Sequence, residues 1–252
     1  MKHKNATIIV GASSGIGKKL ALIESMKRPV CLLARRTEKI QALKNKIEEM
    51  GGKALAITCD VTDKTQCQNA IKKALQWAQV TRFIYNTGVA LAIPLNEFKT
   101  ETFNAVFQPN FHGLIHCLEF ILPEFIAKKQ GHIVGISSLA SLVSGPASSS
   151  YCASKTAMNV ILTSIRRESK SIDVSIICPG FIKTALTDQN DFKMPLLMPL
   201  DKAAKKIHHA IEKKIPFYAF PKPAYWALRC LSKFPLRIQD WLIAKQKYKK
   251  KS

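Results

Sequence analysis

The segment Thr7-Ile-Ile-Val-Gly-Ala-Ser-Ser-Gly-Ile-Gly17 decides the fold. Thr7 to Val10 is a short apolar run, and it passes straight into glycines at 11, 15 and 17. The residues that follow, Lys18 to Lys27, place Leu20, Ala21, Leu22 and Ile23 as the buried side of a helix. A strand, a glycine turn and a helix in that order bring backbone amides toward a helix N-terminus, where a pyrophosphate is well held. Glycines alone also make ordinary turns. Their position between the first strand and the first helix of an alternating chain gives this motif its force.

Outward from that segment the alternation continues. Val30–Ala34 reads as a second strand ending in Arg35-Arg36, and a helix from Thr37 to Met50 stops at Gly51-Gly52. Ala54–Thr58 is a third strand, followed by Cys59-Asp60-Val61-Thr62-Asp63 and a helix to about Gln79. Arg82–Tyr85 is a fourth, ending at Asn86-Thr87-Gly88. One long helix is predicted over 100–129, with Pro109 and Asn110 inside it, and proline there predicts a kink. His132–Ser137, a helix from Tyr151 to Ser169, and Val174–Cys178 before Pro179-Gly180 complete the core, with Phe217–Phe220 as a last strand. The pattern predicts an α/β protein with an open, doubly wound parallel sheet and helices on both faces. It is expected as one domain over 1–215 with a C-terminal extension over 216–252.

Composition narrows the class. The chain has 252 residues, 47% of them hydrophobic, which suits one large folded domain. No apolar run reaches the ~18–20 residues of a membrane span. The first residues lack the apolar stretch of a secretory signal, so a cytoplasmic protein is expected. The seven cysteines have neither C-x-x-C nor metal-ligand spacing and are expected as buried free thiols. The histidines at 3, 132, 208 and 209 are read as having no cysteine or carboxylate partner at ligand spacing, so no metal site is expected. The 39 Lys and Arg against 17 Asp and Glu give a net charge of +22, concentrated toward the C-terminus. Such a balance fits a solvated basic surface, an anionic membrane, nucleic acid or an acidic partner.

A second stretch, Ser137 to Lys155, carries candidate chemistry: a hydroxyl at Ser138, a phenol at Tyr151 and an amine at Lys155. On a helix the i,i+4 spacing stacks Tyr151 and Lys155 on one face. An ammonium beside a phenol favours the phenolate and lowers its pKa toward the range useful for proton exchange. At the end of the second strand, where a carboxylate would hold a free ribose 2′-hydroxyl, the chain has Ala34, Arg35 and Arg36. Guanidinium groups suit a 2′-phosphate, so NADP(H) is expected over NAD(H).

With GASSGIG at 11–17, DVTD at 60–63, NTG at 86–88, Asn110, Ser138, Tyr151-x-x-x-Lys155 and PGFIKT at 179–184, the sequence resembles the classical short-chain dehydrogenase/reductases over about 5–212. The resemblance implies a Rossmann-type fold and an oxidoreductase acting on a ketone or secondary alcohol. It implies Tyr151 as the acid/base, Lys155 as the group that lowers its pKa and holds the nicotinamide ribose, Ser138 as the carbonyl donor, and Asn110 as holder of a relay water. It implies cofactor contacts from Gly11, Ser13, Ser14, Gly15, Ile16, Gly17, Arg35, Arg36, Asp60, Val61, Asn86, Gly88, Pro179, Gly180, Ile182 and Thr184. It also implies a homodimer or homotetramer through the helices around Phe103–Phe125 and Tyr151–Ser169. Val10, Tyr85 and Pro109 depart from the family's pattern. His112 and His116 are read as helix-face residues.

The substrate side is less determined. Residues 185–200 bear Leu186, Phe192, Met194, Leu196, Leu197, Met198 and Leu200, which suit either a lid over an apolar, lipid-like substrate or permanent packing. Beyond Phe220, Pro223–Lys233 and Leu236–Tyr248 read as amphipathic helices with Tyr225, Leu228 and Leu231 on one face of the first and Ile238, Trp241 and Leu242 on one face of the second. A basic rim around such faces suits a membrane surface, packing on the same subunit or a neighbour. The opposing functional class is a catalytically retired nucleotide-fold protein that uses this extension to bind lipid or nucleic acid.

Overall fold

Apolar runs such as Val-Cys-Leu-Leu-Ala at 30–34 have no polar alternation, and a strand of that kind must be covered on both faces. The computed structural model describes residues 3–189 and 194–243 and shows that burial. Its elements are β1 (His3–Val10), α1 (Gly15–Ser25), β2 (Val30–Ala34), α2 (Thr37–Glu49), β3 (Ala54–Thr58), α3 (Lys64–Trp77), β4 (Ala78–Tyr85), α4 (Thr100–Phe107), α5 (Gly113–Ala127), β5 (Gly131–Ile136), α6 (Ser149–Glu168), β6 (Ile172–Pro179), α7 (Leu200–Glu212), β7 (Phe217–Phe220), α8 (Lys222–Leu231) and α9 (Leu236–Ile243).

The sheet order is β3-β2-β1-β4-β5-β6-β7, and every pairing is parallel. Alternate residues feed opposite layers: Ile8 and Val10 join Phe83, Tyr85, Leu118 and Met158 under α3, α5 and α6. Ile9 joins Leu20, Ile40, Leu43, Ile207 and Ile211 under α1, α2 and α7. The order reverses between β1 and β4, and the loops leaving their carboxyl ends part there to open a crevice. The fold is therefore the doubly wound, three-layered Rossmann type.

Several boundaries differ from the sequence reading. β1 begins at His3 because the polar lead still pairs with β4, in the register His3↔Ala78, before a bulge near Ala6. β4 follows α3 without a loop, since Ala78 turns directly to extended backbone, and the His3 ring packs edge-on to Trp77 at 4.7 Å. The single helix expected over 100–129 is α4 and α5 joined by a π-helical turn, Gln108–His112. Proline at 109 has no N–H for a regular ladder, and the wider turn accommodates it. In α1 the fully covered residues include Leu20, Ala21 and, unexpectedly, Glu24, while Leu22 and Ile23 are half-buried. β7, expected at the head of the C-terminal extension, is the seventh strand of the sheet.

Six cysteines are buried and Cys230 on α8 is exposed. Burial pushes the Cys31 thiol up to about 12 and raises Cys178 as well. Among the described residues no helix is long and apolar enough to cross a membrane.

Candidate active site

The glycine turn is built for close approach. Gly11 has φ +82°, a conformation that side chains with a Cβ rarely adopt. At Gly17 a Cβ would lie 2.2 Å from the Gly11 carbonyl oxygen, so any larger residue would push the turn off the helix. Ser14, the N-cap of α1, makes no side-chain cap, which leaves the amides of the first turn without a side-chain acceptor. The cradle fits an anionic ligand at a helix N-terminus, as a pyrophosphate is. Asn86 closes its base by donating from Nδ2 to the Gly11 carbonyl at 3.1 Å.

The two arginines after β2 are placed differently. Arg36 Nη2 lies 2.7 Å from both the Ser13 and the Ser14 hydroxyls, over the glycine turn. Arg35 points the other way, 3.8 Å from an oxygen of Asp60. Asp60 also accepts from the Thr62 amide and hydroxyl, which fixes the bend after β3 beside buried Val61. Thr184 lies on the far side, its methyl 3.6 Å from where a Gly15 Cβ would stand. Gly180 is pinned through its amide to the Phe220 carbonyl at 2.7 Å, after Pro179 at the end of β6. Ile182 is buried and forms an isolated parallel bridge with Met198, so the described ends of the 185–200 segment are tied to the site. Phe192 lies outside the described residues, whereas Leu196 and Leu197 are exposed.

Tyr151 and Lys155 sit one turn apart on α6, as the spacing predicts. Ser138 begins the 3-10 turn Leu139–Ser141, where its hydroxyl accepts from the Ala140 amide at 3.1 Å, and it is near enough to the Tyr151 phenol to draw that group's pKa downward. Its neighbour Ser137 donates to the Lys155 carbonyl at 3.3 Å, anchoring the helix behind the site. Lys155 Nζ is buried beside Gly88, donating to the Ile136 carbonyl at 2.9 Å and the Thr87 carbonyl at 3.5 Å. Burial pushes its pKa down to about 8.

The electrostatics correct one expectation. The ammonium donates to those two carbonyls and stands 5.9 Å from the centroid of the Tyr151 ring. Burial therefore dominates at Tyr151 and raises its pKa, with the nearby Ser138 hydroxyl pulling it partly back. In this form the phenol keeps its proton.

Asn110 is wholly buried in the π-helical turn. Its Oδ1 accepts from the Val89 amide at 2.7 Å, while Nδ2 donates to the Val89 carbonyl at 2.9 Å and to Ser154 Oγ at 3.0 Å. Ser154 in turn donates to the Tyr151 carbonyl at 2.8 Å. The asparagine thus clamps three segments together: the turn, the loop after β4 and α6. Sequence reasoning missed Ser154, although its position between Tyr151 and Lys155 on one helix was a usable signal.

The departures Tyr85 and Pro109 belong together. The Tyr85 hydroxyl donates to the Pro109 carbonyl inside the core. A Cβ at Gly113 would stand 2.4 Å from that hydroxyl and 2.7 Å from Val61, so the glycine makes room for the phenol.

A second buried polar group lies on the α1 and α7 side of the sheet. Arg82 Nη1 reaches both oxygens of Glu24, at 2.9 and 3.0 Å, and Glu212 at 2.7 Å. Thr7 and His208 also bond Glu24, at 2.9 and 3.0 Å, and Arg28 pairs with Glu212 at 3.0 Å. The reading that His208 lacks a carboxylate at ligand spacing is thereby overturned: Glu24 bonds it from α1, and Glu212, four residues on in α7, lies beside it. Glu24, His208 and Glu212 lie close enough to share an ion, but the Arg82 guanidinium already fills their centre. Burial opposes ionisation of Glu212, yet hydrogen bonds from Arg82 and Lys27 and the charges of Arg82 and Arg28 hold it down to about 2. His132, bonded to Ser175 at 2.9 Å, is pushed down to about 3 by burial and by nearby Arg82. His116 bonds the Val61 carbonyl at 3.0 Å, and the His112 ring meets Phe107 and Phe111; neither faces Tyr151 through any of these contacts.

A glycine cradle at the crossover of a doubly wound sheet, facing a Ser–Tyr–Lys group, defines a dinucleotide-fold protein with oxidoreductase-type architecture. The short chain dehydrogenase family model matches residues 5–194, and the chain belongs to that family. An uncharacterized oxidoreductase of Listeria monocytogenes is 33% identical over 195 residues, covering 75% of this chain and 79% of the relative. A 3-oxoacyl-acyl-carrier-protein reductase of Staphylococcus aureus is 27% identical over 232 residues, 89% of this chain and 94% of that one. Among solved structures, a short chain dehydrogenase/reductase from Burkholderia phymatum in complex with NAD superposes with TM-score 0.82 at 20% identity, covering 99% and 98% of the two chains. An alcohol dehydrogenase from Thermococcus sibiricus with 5-hydroxy-NADP gives 0.77 at 19% identity, covering 86% and 95%. The chain is thus an oxidoreductase of a family that uses nicotinamide cofactors.

Proposed function

We propose that this oxidoreductase transfers hydride between NADP(H) and a ketone or secondary alcohol on an apolar, lipid-like substrate. The observation that carries this reading is the convergence of Ser138, Tyr151 and Lys155 opposite the glycine turn, with Arg36 seated on Ser13 and Ser14. The nicotinamide, when bound, supplies or accepts the hydride. Ser138 bonds the substrate oxygen where charge develops, and Tyr151 gives or takes its proton. Burial keeps that proton on Tyr151 in the resting site, which suits the donor needed for reduction. Lys155 holds the ribose hydroxyls, and Asn110, by clamping α6 to the loop after β4, keeps a water path to Lys155 in place.

The cofactor side is assigned to Gly11, Ser13, Ser14, Gly15, Ile16 and Gly17 around the pyrophosphate, with Arg36 and then Arg35 on the 2′-phosphate. Asp60 and Val61 border the adenine, Asn86 and Gly88 its ribose, and Pro179, Gly180, Ile182 and Thr184 the nicotinamide side. Residues 1–215 form the catalytic domain, 185–200 its substrate cover and 216–252 a basic extension. The exposed Leu196 and Leu197 support an apolar substrate. The Staphylococcus aureus relative makes a 3-oxoacyl thioester the first compound to try. A second copy is proposed on the groove lined by Phe111, Leu142, Ala153 and Val160. The protein is assigned to the cytoplasm, with an anionic membrane within reach of its extension.

The test is oxidation of NADPH and NADH by the purified chain over a panel of ketones and 3-oxoacyl thioesters. Tyr151→Phe is expected to lose turnover by about 10³-fold or more while still binding NADPH. Retained turnover would remove Tyr151 from the chemistry, and equal use of NADH would remove the cofactor preference. Cofactor binding without turnover on any carbonyl would favour the alternative, a retired enzyme acting as a binding protein.

A further inference from the structure

The two C-terminal helices use their apolar faces in opposite ways. On α8, Ala224, Tyr225 and Leu228 turn inward and pack on the core beneath β7, and the Lys222 ammonium lies over the Tyr218 and Tyr225 rings at 5.4 and 5.7 Å. Of the three uses the sequence leaves open for this stripe, Tyr225 and Leu228 take packing on the protein's own core. What α8 shows to solvent is Trp226, 58% exposed, between Lys222 and Arg229. On α9 the half-buried residues are Gln239 and Ile243, and the outward side carries Ile238, Trp241 and Leu242. Leu236 at the start of α9 is 73% exposed and Phe234 before it 49%. Neither helix has a single buried residue.

We propose that this outward surface of α8 and α9 docks on an anionic phospholipid bilayer, with Trp226, Phe234, Ile238, Trp241 and Leu242 entering the headgroup boundary. The inference gives side chains to the membrane contact suggested above and stands apart from the hydride chemistry. Charge selects the occupant. Within 222–243 the bases Lys222, Arg229, Lys233 and Arg237 face one acid, Asp240, and the whole chain carries +22. Two copies meeting through this face would press like-charged rims together, whereas anionic headgroups neutralise them. Nucleic acid would satisfy the bases but leave Ile238, Leu242 and Leu236 with no apolar partner. A bilayer satisfies both, since aromatic and aliphatic side chains enter the boundary while Lys and Arg stay at the phosphates. Sequence beyond residue 243 adds Lys245, Lys247 and Lys249 to Lys251, which lie outside the described residues. α8 also packs on the Leu139–Ser141 turn that starts at Ser138, so a docked bilayer would lie on the substrate side.

The experiment is flotation of the full chain with vesicles of phosphatidylcholine, with and without phosphatidylglycerol, at low and high salt, with tryptophan emission followed in parallel. Association is expected with the anionic vesicles, with a blue shift, and high salt should weaken it without abolishing it, because the apolar contact remains. The double substitution Ile238→Glu, Trp241→Glu, at exposed positions, should cut association at least tenfold while the circular dichroism spectrum stays unchanged. No association with anionic vesicles, or association unaffected by the double substitution, overturns the proposal. So does a concentration-dependent dimer lost in the double variant without vesicle binding, which would make a second copy the occupant. Equal retention by RNA and by vesicles, abolished by salt in both, would reduce the surface to a polyanion binder and overturn it as well.

Discussion

Arg82 and Lys155 are both buried cations on the same parallel sheet, but their surroundings are built on opposite terms. Arg82 lies between two carboxylates, Glu24 and Glu212, with Thr7, His208 and Arg28 completing the group. Lys155 has main-chain carbonyls for partners, and burial depresses its pKa to about 8. The same contrast recurs at the end of β2, where Arg35 faces Asp60 and Arg36 rests on hydroxyls. A cation with a carboxylate is electrically finished and serves the fold. A cation given only neutral acceptors keeps a charge to spend on a ligand, at some cost in stability.

The sharpest way to break this comparison is Arg82→Met, which strands two carboxylates. Losing one partner of a buried ion group costs about 3–5 kcal/mol, so denaturant unfolding should show a drop of that size with NADPH affinity unchanged in the surviving folded protein. Lys155→Met should do the reverse. Turnover falls away, while stability at neutral pH stays level or rises by up to about 3 kcal/mol, because a lysine held near 8 rather than its ordinary 10.5 opposes folding when charged. The sign follows from proton counts. Between pH 8 and 10.5 the unfolded chain binds the extra proton, so wild-type stability contributed by this residue climbs across that window, and Lys155→Met should abolish the climb.

On the acid side, Glu212 contributes stability that is present above its ordinary value near 4.5 and is lost as pH falls toward about 2. Because Glu212 is partly exposed, a loss of about 2 kcal/mol is expected over that range, and Glu212→Gln should flatten it. The smallest effect separates the two arginines. Arg36→Ala should weaken NADPH binding about tenfold and leave NADH binding unchanged, whereas Arg35→Ala should do less, since Arg35 is partly engaged by Asp60. If the two variants behave alike in a cofactor titration, the distinction between finished and available cations fails at this end of the molecule.

Legibility in the sequence followed distance along the chain. The glycine turn, Tyr151 and Lys155, Asn86 and the β2 arginines could be read because each is a local pattern on one strand–loop–helix unit. The parallel, doubly wound sheet also followed from the alternation of strands and helices, whereas the order of its strands came only from the fold. The Arg82 group could not be read, because Thr7, Glu24, Arg82, His208 and Glu212 come from four elements that only the folded sheet brings together. The direction of the Lys155 ammonium was hidden for a related reason, since the Ile136 and Thr87 carbonyls that attract it belong to other strands' ends. Periodicity marked apolar faces on both α8 and α9, but only the packing showed that Tyr225 and Leu228 turn inward on α8 while Ile238 and Leu242 on α9 stay exposed.

Cys230 gives the last point a practical form. Six thiols are sealed in the core, and this one stands in solvent on α8, four residues past Trp226. A maleimide probe would therefore find a single ready address without any engineering of the sequence. A polarity-sensitive dye placed there would report, in the native protein, whether that side of the molecule is in water or in hydrocarbon.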